Sequence, residues 1–187
     1  MDIPKWRVRS STYVVQNRFL RLRKDAIELP DGTLIDDYYV REGGSFSVVF
    51  ALTPEQDVVL VRQYKYGLNG IMLELPGGFV DQGEEPRAAA IRELAEETGY
   101  VAESIRLVRS FPTAPSNSDA AMHLFFATNA RPTAQRNLDV TEAIEVETHA
   151  LASLPALISS GQIETANQVA AIYYVLENIL RTPGLRD

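Results

Sequence analysis

Gly78–Tyr100 reads GFVDQGEEPRAAAIRELAEETGY. Its second half has the marks of a helix. Pro86 suits a first turn, where a missing N–H costs nothing, and Ala88, Ala89 and Ala90 are strong helix formers. Gly99 is placed to end the helix at C′. On such a helix Glu93, Glu96 and Glu97 stand at i, i+3 and i+4 and share one face. Ile91, Leu94 and Ala95 fall elsewhere around it and are expected to face the core. Three carboxylates this close repel one another, and without cations at least one tends to hold a proton. Hard divalent ions, which prefer oxygen ligands, neutralise such a cluster. Alone, the three glutamates also fit an ordinary solvated face with Arg92 pairing locally.

Upstream of this segment the chain reads as strands. Thr12–Val15 and Phe19–Leu29 carry β-branched and aromatic residues in rough alternation. Pro30-Asp31-Gly32 supplies a turn, and Leu34–Val40 begins another strand. Ser45–Leu52 and Val58–Tyr64 are expected to form a hairpin around Thr53-Pro54-Glu55-Gln56-Asp57. The apolar run Val58-Val59-Leu60-Val61 suits a strand buried on both faces. Downstream, strands are expected at Ser104–Phe111, Ala121–Thr128 and Ala143–Thr148. Helix returns over Leu151–Ser159, stopped by Gly161, and over Ala166–Leu180, stopped near Pro183. No internal repeat and no linker rich in Pro, Gly or Ser divides the chain. The pattern predicts an α/β fold: a mixed sheet sandwiched by helices, with an N-terminal run of strands as a small sheet of its own.

Composition narrows the function classes. The 187 residues fit one domain, or one domain with a small extension. With 45% hydrophobic and 23% charged residues the chain is of ordinary globular type. The opening Met1–Trp6 lacks the charged-then-apolar layout of a secretory signal, and no apolar run approaches the roughly 20 residues that span a bilayer. No membrane association is therefore expected. Cysteine is absent, which excludes disulfides and thiolate metal sites and fits a cytoplasmic setting. The net charge of −7, from 18 Lys+Arg against 25 Asp+Glu, is a poor match for a long nucleic acid. An anionic small substrate would need metal ions to invert the local field.

The spacing beyond the helix decides between a solvated face and a site. From Gly78 come five residues, Glu84, seven residues, then Arg92-Glu93-Leu94-Ala95-Glu96-Glu97-Thr98-Gly99-Tyr100. This resembles the Nudix box, G-x5-E-x7-R-E-U-x-E-E-x-G-U with U bulky and apolar, and all seven fixed positions match. At residue frequencies of about 5–10% each, chance agreement at one start site is far below roughly one in a million. Tyr100 occupies a slot usually filled by an aliphatic residue. The resemblance implies a Nudix-type α/β/α sandwich with mixed sheet over 43–187. It also implies an N-terminal antiparallel strand extension over 1–42 that serves as a dimerisation sheet.

The same resemblance implies that Glu93, Glu96 and Glu97 bind metal, with the carbonyl of Gly77 as a further ligand. Mg²⁺ is the implied cofactor, with Mn²⁺ as a substitute. Glu84 and Arg92 are implied as support, the arginine orienting carboxylates by charge-assisted hydrogen bonds. Gly78 and Gly99 are expected at turns where a β-carbon would be awkward. In the implied chemistry the ions offset phosphate charge and lower the pKa of a bound water, which attacks phosphorus while a carboxylate accepts its proton. Glu142 is the candidate acceptor outside the box. It falls in an expected loop before a strand, where related enzymes that cleave ADP-ribose and nucleotide sugars carry catalytic acids. Some relatives have a second acid two residues earlier; here that residue is Val140. The alternative for Glu142 is an ordinary surface glutamate.

Further segments are similar to the ADP-ribose and nucleoside-diphosphate-sugar pyrophosphatase branch: Val61–Lys65, Leu73–Gly78 and the stretch from Trp6 to Gly32. Within them Lys65 and Glu74 are candidate substrate contacts. Lys65 stands where that branch often has arginine and would serve a phosphate as a point charge. Pro115 follows Tyr100 by 15 residues, close to a proline of ADP-ribose-cleaving relatives, but Thr113–Asp119 lacks the glycine of their motif. Asn117 in this Asn/Ser-rich loop is a candidate hydrogen-bonding partner for a sugar or ribose. Trp6, Tyr13 and Tyr39 are candidates for stacking on a base, with packing as the alternative for each. In this branch the N-terminal region often exchanges between subunits, so a homodimer is expected. His123 and His149 read as structural. The expected reaction is hydrolysis of the diphosphate bond of ADP-ribose or a related sugar, giving a nucleoside monophosphate and a sugar phosphate. Another nucleoside-diphosphate derivative, such as a dinucleoside polyphosphate or NADH, stays open, as does a nucleotide-sensing module without catalysis.

Overall fold

Side chains alternate across a strand, and along the central strands that alternation sorts apolar residues onto two opposite faces. A computed structural model describes residues 3–181. It opens with β1 (Arg7–Gln16), β2 (Arg21–Glu28) and β3 (Leu34–Glu42), then β4 (Phe46–Ala51), β5 (Asp57–Lys65), β6 (Gly70–Glu74) and β7 (Gly77–Phe79). After these come α1 (Pro86–Thr98), β8 (Tyr100–Val101), β9 (Ser104–Pro112), β10 (Ala121–Thr128), β11 (Arg131–Pro132) and β12 (Ile144–Ala150). A 3₁₀ turn, Leu151–Ser153, leads into α2 (Leu154–Ser159), and α3 (Ala166–Val175) runs into a π turn, Leu176–Leu180. By internal contacts the chain forms two units: Met1–Ser45 with Pro112–Ala121, and Phe46–Phe111 with Met122–Asp187.

The second unit is an α/β sandwich built on a mixed sheet of order β7-β4-β10-β9, in which β4 runs parallel to β10 and antiparallel to β7. A second, antiparallel sheet has the order β12-β5-β6, and β8 pairs with β11. Val48, Phe50, Leu124 and Phe126 pack with Leu154, Ile172 and Val175 of α2 and α3. The intervening Val49, Ala51, Phe125 and Ala127 pack with Ala90 and Leu94 of α1. The helices therefore cover opposite faces.

The expected hairpin is only half present. Its turn forms, with Thr53 N donating to Asp57 O at 2.9 Å and Gln56 at φ 68°, but the strands meet only at the bridge Leu52↔Val58. Beyond it β4 and β5 enter different sheets, because each is buried on both faces and finds longer partners elsewhere. The expected Leu151–Ser159 helix is interrupted, and Pro155 restarts it in the first turn of α2. The expected Ala166–Leu180 helix loses its α register after Val175, and Pro183 lies outside the described residues. No helix among the described residues is long and apolar enough to cross a membrane.

In the first unit β1, β2 and β3 form an antiparallel sheet whose β1 is exposed at almost every position. Polar cross-strand bonds link its strands. Ser11 Oγ donates to Asp25 Oδ1 at 2.5 Å, Tyr13 OH donates to Glu42 at 2.6 Å, and Arg23 pairs with both Asp25 and Glu42. Trp6 meets Tyr38 edge-on, with ring centroids 5.7 Å apart. The Pro112–Ala121 segment is bonded to the end of β3, with Arg41 N donating to Asn117 O at 2.9 Å and Gly43 N to Asp119 Oδ1 at 2.7 Å. Of the histidines, His123 bonds Ser110 Oγ at 2.8 Å and His149 bonds Glu147 at 2.7 Å.

Candidate active site

The helix α1 starts with Pro86 in its first turn and stops at Gly99, whose φ of 76° is left-handed and whose N–H donates to Ala95 O at 2.8 Å. Its inward face agrees with the expected one at Leu94 but not at Ile91. Ile91 is 41% exposed, while Ala89, Ala90 and Leu94 are buried, and so are two of the glutamates. Glu93 and Glu97 retain only 9% and 3% of their exposure. Carboxylates on a solvated face would not be buried, so that reading of the cluster is excluded for Glu93 and Glu97. Glu96 lies at the rim.

One guanidinium braces the cluster. Arg92 grips Glu84 with a fork, Nε to Oε1 at 3.0 Å and Nη2 to Oε2 at 2.9 Å. Its Nη1 donates to Glu93 Oε1 at 2.8 Å and to Glu96 Oε2 at 3.2 Å, and Nη2 also reaches Phe79 O at 3.1 Å. Glu84 in turn accepts from Asp81 N at 3.0 Å. On the other side Gly77 N donates to Glu97 Oε2 at 2.9 Å. Gly77, Gly78 and the glutamates of α1 thus meet in one place.

The two glycines serve close approach here. Gly78 lies within β7 rather than in a turn, and a β-carbon there would overlap the Glu93 carboxylate. A β-carbon on Gly77 would stand 2.9 Å from Val48 Cα and overlap Ser47 O. Gly78→Ala is therefore expected to displace Glu93 and to lower turnover by about 10²-fold or more, since small misplacements at a site cost that much. A circular-dichroism melt alongside the assay checks that the fold is kept; an unchanged kcat would show that Glu93 tolerates the shift.

The electrostatics set Glu97 and Glu93 apart from Glu84. Burial pushes the Glu97 carboxyl up to about 8, and Glu93 and Glu142 repel its charge further, against the opposing Gly77 N–H bond and Lys65. Burial also raises Glu93, opposed by Arg92. Glu84 is held below the usual range by the Arg92 fork and the Asp81 N–H. Two buried carboxylates whose ionisation burial opposes offer oxygen donors, the kind that hard divalent cations take. In the present side-chain arrangement, in which Arg92 bonds both Glu93 and Glu96, no three acids or imidazoles among the described residues converge as a ready cage.

The remaining expected site residues fall in two places. Lys65 and Glu74 come together in the second unit, Nζ to Oε2 at 3.2 Å, and Thr165 Oγ1 donates to Glu74 Oε1 at 3.0 Å. Both Glu74 oxygens are thereby engaged. Glu142 sits in the loop before β12, its Oε2 accepting from Asp139 N at 2.9 Å, while Val140 is fully exposed. Pro115 and Asn117 belong to the first unit, where Asn117 N donates to Ala114 O at 3.0 Å. Sequence reasoning missed Gln168, whose Oε1 accepts the buried Leu75 N–H at 3.0 Å, and Arg136, which binds main-chain carbonyls. No periodicity or motif marks either one.

Residues 43–170 match the model of the NUDIX domain, and residues 6–40 match the nucleoside diphosphate sugar hydrolase N-terminal domain. A methanol dehydrogenase activator of Bacillus methanolicus is 32% identical over 87% of this chain and 88% of its own. An ADP-ribose pyrophosphatase of Bacillus subtilis is 31% identical over the same shares. A crystal structure of an ADP compounds hydrolase superposes with a TM-score of 0.83, covering 95% of both chains at 22% identity, which is a likeness of fold.

Proposed function

This chain belongs to the NUDIX family, and from that premise we propose that it hydrolyses the diphosphate bond of ADP-ribose or a related nucleoside-diphosphate sugar, with Mg²⁺ as cofactor. The observation that carries this reading is the buried Glu93–Glu97 pair packed against Gly77 and Gly78 and braced by Arg92. The matches to a diphosphate-sugar hydrolase N-terminal domain and to an ADP-ribose pyrophosphatase support the substrate class.

Glu93, Glu96, Glu97 and the carbonyl of Gly77 would hold the ion. When bound, it offsets the charge of the diphosphate and lowers the pKa of a coordinated water. Arg92 keeps Glu93 and Glu96 oriented through the bonds to its Nη1. Glu142 takes the proton of the attacking water as its oxygen bonds to phosphorus and the diphosphate P–O bond breaks. Lys65, half-exposed beside Glu74, faces the substrate phosphates as a point charge. Pro115 and Asn117 are proposed as sugar or ribose contacts. The exposed β1 with its apolar Val8, Tyr13 and Val14 supports a homodimer formed through the N-terminal sheet, with 1–42 as extension and 43–187 as catalytic domain. The cysteine-free sequence supports a cytoplasmic setting.

The test is product release from ADP-ribose, nucleotide sugars and dinucleoside polyphosphates, with Mg²⁺ or with EDTA. Metal-dependent release of a nucleoside monophosphate and a sugar phosphate is expected. Binding of ADP-ribose without turnover in the presence of Mg²⁺ or Mn²⁺ would replace hydrolysis with nucleotide sensing. Glu142→Gln is expected to lower kcat by about 10²–10⁴-fold, the usual share of a general base, with little change in substrate affinity. A wild-type rate in that variant removes Glu142 from the reaction.

A further inference from the structure

The loop between β11 and β12 carries Glu142, and it is fastened to the C-terminal end of α1. Three carbonyls there take donors from the loop. Glu96 O accepts from Asn137 N at 3.0 Å, Gly99 O from Ala134 N at 3.0 Å, and Glu97 O from Arg136 Nε at 2.8 Å. The last turn of a helix leaves carbonyls without intrahelical partners, and a cation beside them is favoured by the helix dipole. The same guanidinium also donates from Nη2 to Ile144 O at 2.6 Å. Ile144 is the first residue of β12 and pairs with Gln63 of β5, so this end is fixed in the sheet.

One planar group therefore ties the box helix to the start of a strand, and it closes a loop between positions eight residues apart. Glu142 lies inside that loop. Closing it restricts the conformations open to the residues between. Within it, Glu142 Oε2 accepts from Asp139 N and Glu142 N donates to Asp139 O, both at 2.9 Å. We propose that Arg136 is a positioning residue that sets the Glu142 carboxylate relative to the glutamates of α1, and so acts on turnover without touching substrate. The proposal rests on the reading of Glu142 as proton acceptor.

Steady-state kinetics on ADP-ribose with Mg²⁺ test this in the full chain, using Arg136→Met, Arg136→Lys, Glu142→Gln and the double variant with Met. Methionine keeps an apolar stem without donors, while a lysine ammonium cannot reproduce the fork to two carbonyls. Arg136→Met is expected to lower kcat by about 10–100-fold with KM changed less than about threefold, and Arg136→Lys to fall between. In the Glu142→Gln background the Met substitution should cost less than about threefold more, because both changes remove one function. Hydrogen exchange should quicken in 137–143 and stay unchanged in α1.

A full-sized loss in the Glu142→Gln background, or a variant that melts earlier yet keeps kcat and loop exchange, overturns the proposal. If the Met variant does not fold, the Lys variant carries the same comparison. A wild-type rate for Glu142→Gln removes the acceptor reading itself. A slow Arg136→Met beside it would then mean that the arginine acts on another group, which also overturns the proposal.

Discussion

Glu97→Gln is expected to lower kcat by about 10³-fold or more while making the metal-free protein more stable near pH 8. The two effects share one cause. Glu97 is the most deeply buried of the box glutamates, and burial pushes its carboxyl up from 4.5 to about 8. In the unfolded chain it returns to its ordinary value. Between those two pH values the folded protein holds a proton that the unfolded chain has released. The contribution of Glu97 to metal-free stability therefore falls as pH rises from about 5 toward 8, by at most about 1.4 kcal/mol per pH unit. Glu93, also raised by burial, acts in the same direction. Glu84 acts oppositely, but its carboxyl is held low, so its contribution is lost only as pH falls below the ordinary carboxylate range. It does not cancel the trend between pH 5 and 8.

Glutamine stays neutral at every pH, so the variant should lack this part of the slope. It should also lack most of the stabilisation expected from divalent ions, because a ligand that binds only the folded state raises its stability with the logarithm of its concentration over Kd. The measurement is a set of thermal melts from pH 5 to 9, with chelator and with Mg²⁺, beside an activity assay. Wild-type and variant melts that run parallel in chelator would remove ionisation of Glu97 as the source. A variant that keeps both its activity and its Mg²⁺-induced rise in Tm would remove Glu97 from the site.

Much of this was readable in the sequence because local chemistry and final structure agree. Pro86 and Gly99 bound α1 at the predicted residues, since one removes an N–H where none is needed and the other adopts a left-handed φ. Ala121–Thr128 stands as the expected strand, its alternating side chains serving two helix layers. The inward turn of Glu93 and Glu97 was not readable. Apolar patterning assigns Ile91 to the core, yet Ile91 is exposed and two carboxylates are buried in its stead. Fold and site make opposite demands on that face. Gly78 shows the same limit, since its lack of a side chain makes room for a carboxylate 15 positions along the chain rather than for a turn. Strand partners were the other gap: the residues of β4 and β5 specify burial, and only the rest of the chain decides which neighbours provide it.

Arg92→Lys is expected to lower kcat/KM by about 10²-fold and to raise the Mg²⁺ concentration needed for half-maximal rate, the effect of losing a group that orients ligands. Arginine here uses Nε, Nη1 and Nη2 toward four acceptors: the Glu84 carboxylate, Glu93, Glu96 and Phe79 O. A lysine offers one ammonium from one point, so it can serve Glu84 or the α1 glutamates but cannot hold both in a plane. Charge alone is retained, which makes the substitution a test of geometry. Arg92→Met removes the charge as well. It leaves Glu84 without its fork, and the Glu84 carboxyl should return toward its ordinary range. Because the Arg92 side chain keeps 31% exposure, solvent screens part of the loss, and a fall in Tm of several degrees is expected rather than unfolding. The discriminating readout is the order of the three proteins in Mg²⁺ requirement: wild type lowest, Lys higher, Met highest. If Lys matches wild type in both kcat/KM and Mg²⁺ dependence, the positive charge suffices. The fork would then contribute to the stability of the 79–84 loop and not to the arrangement of the glutamates.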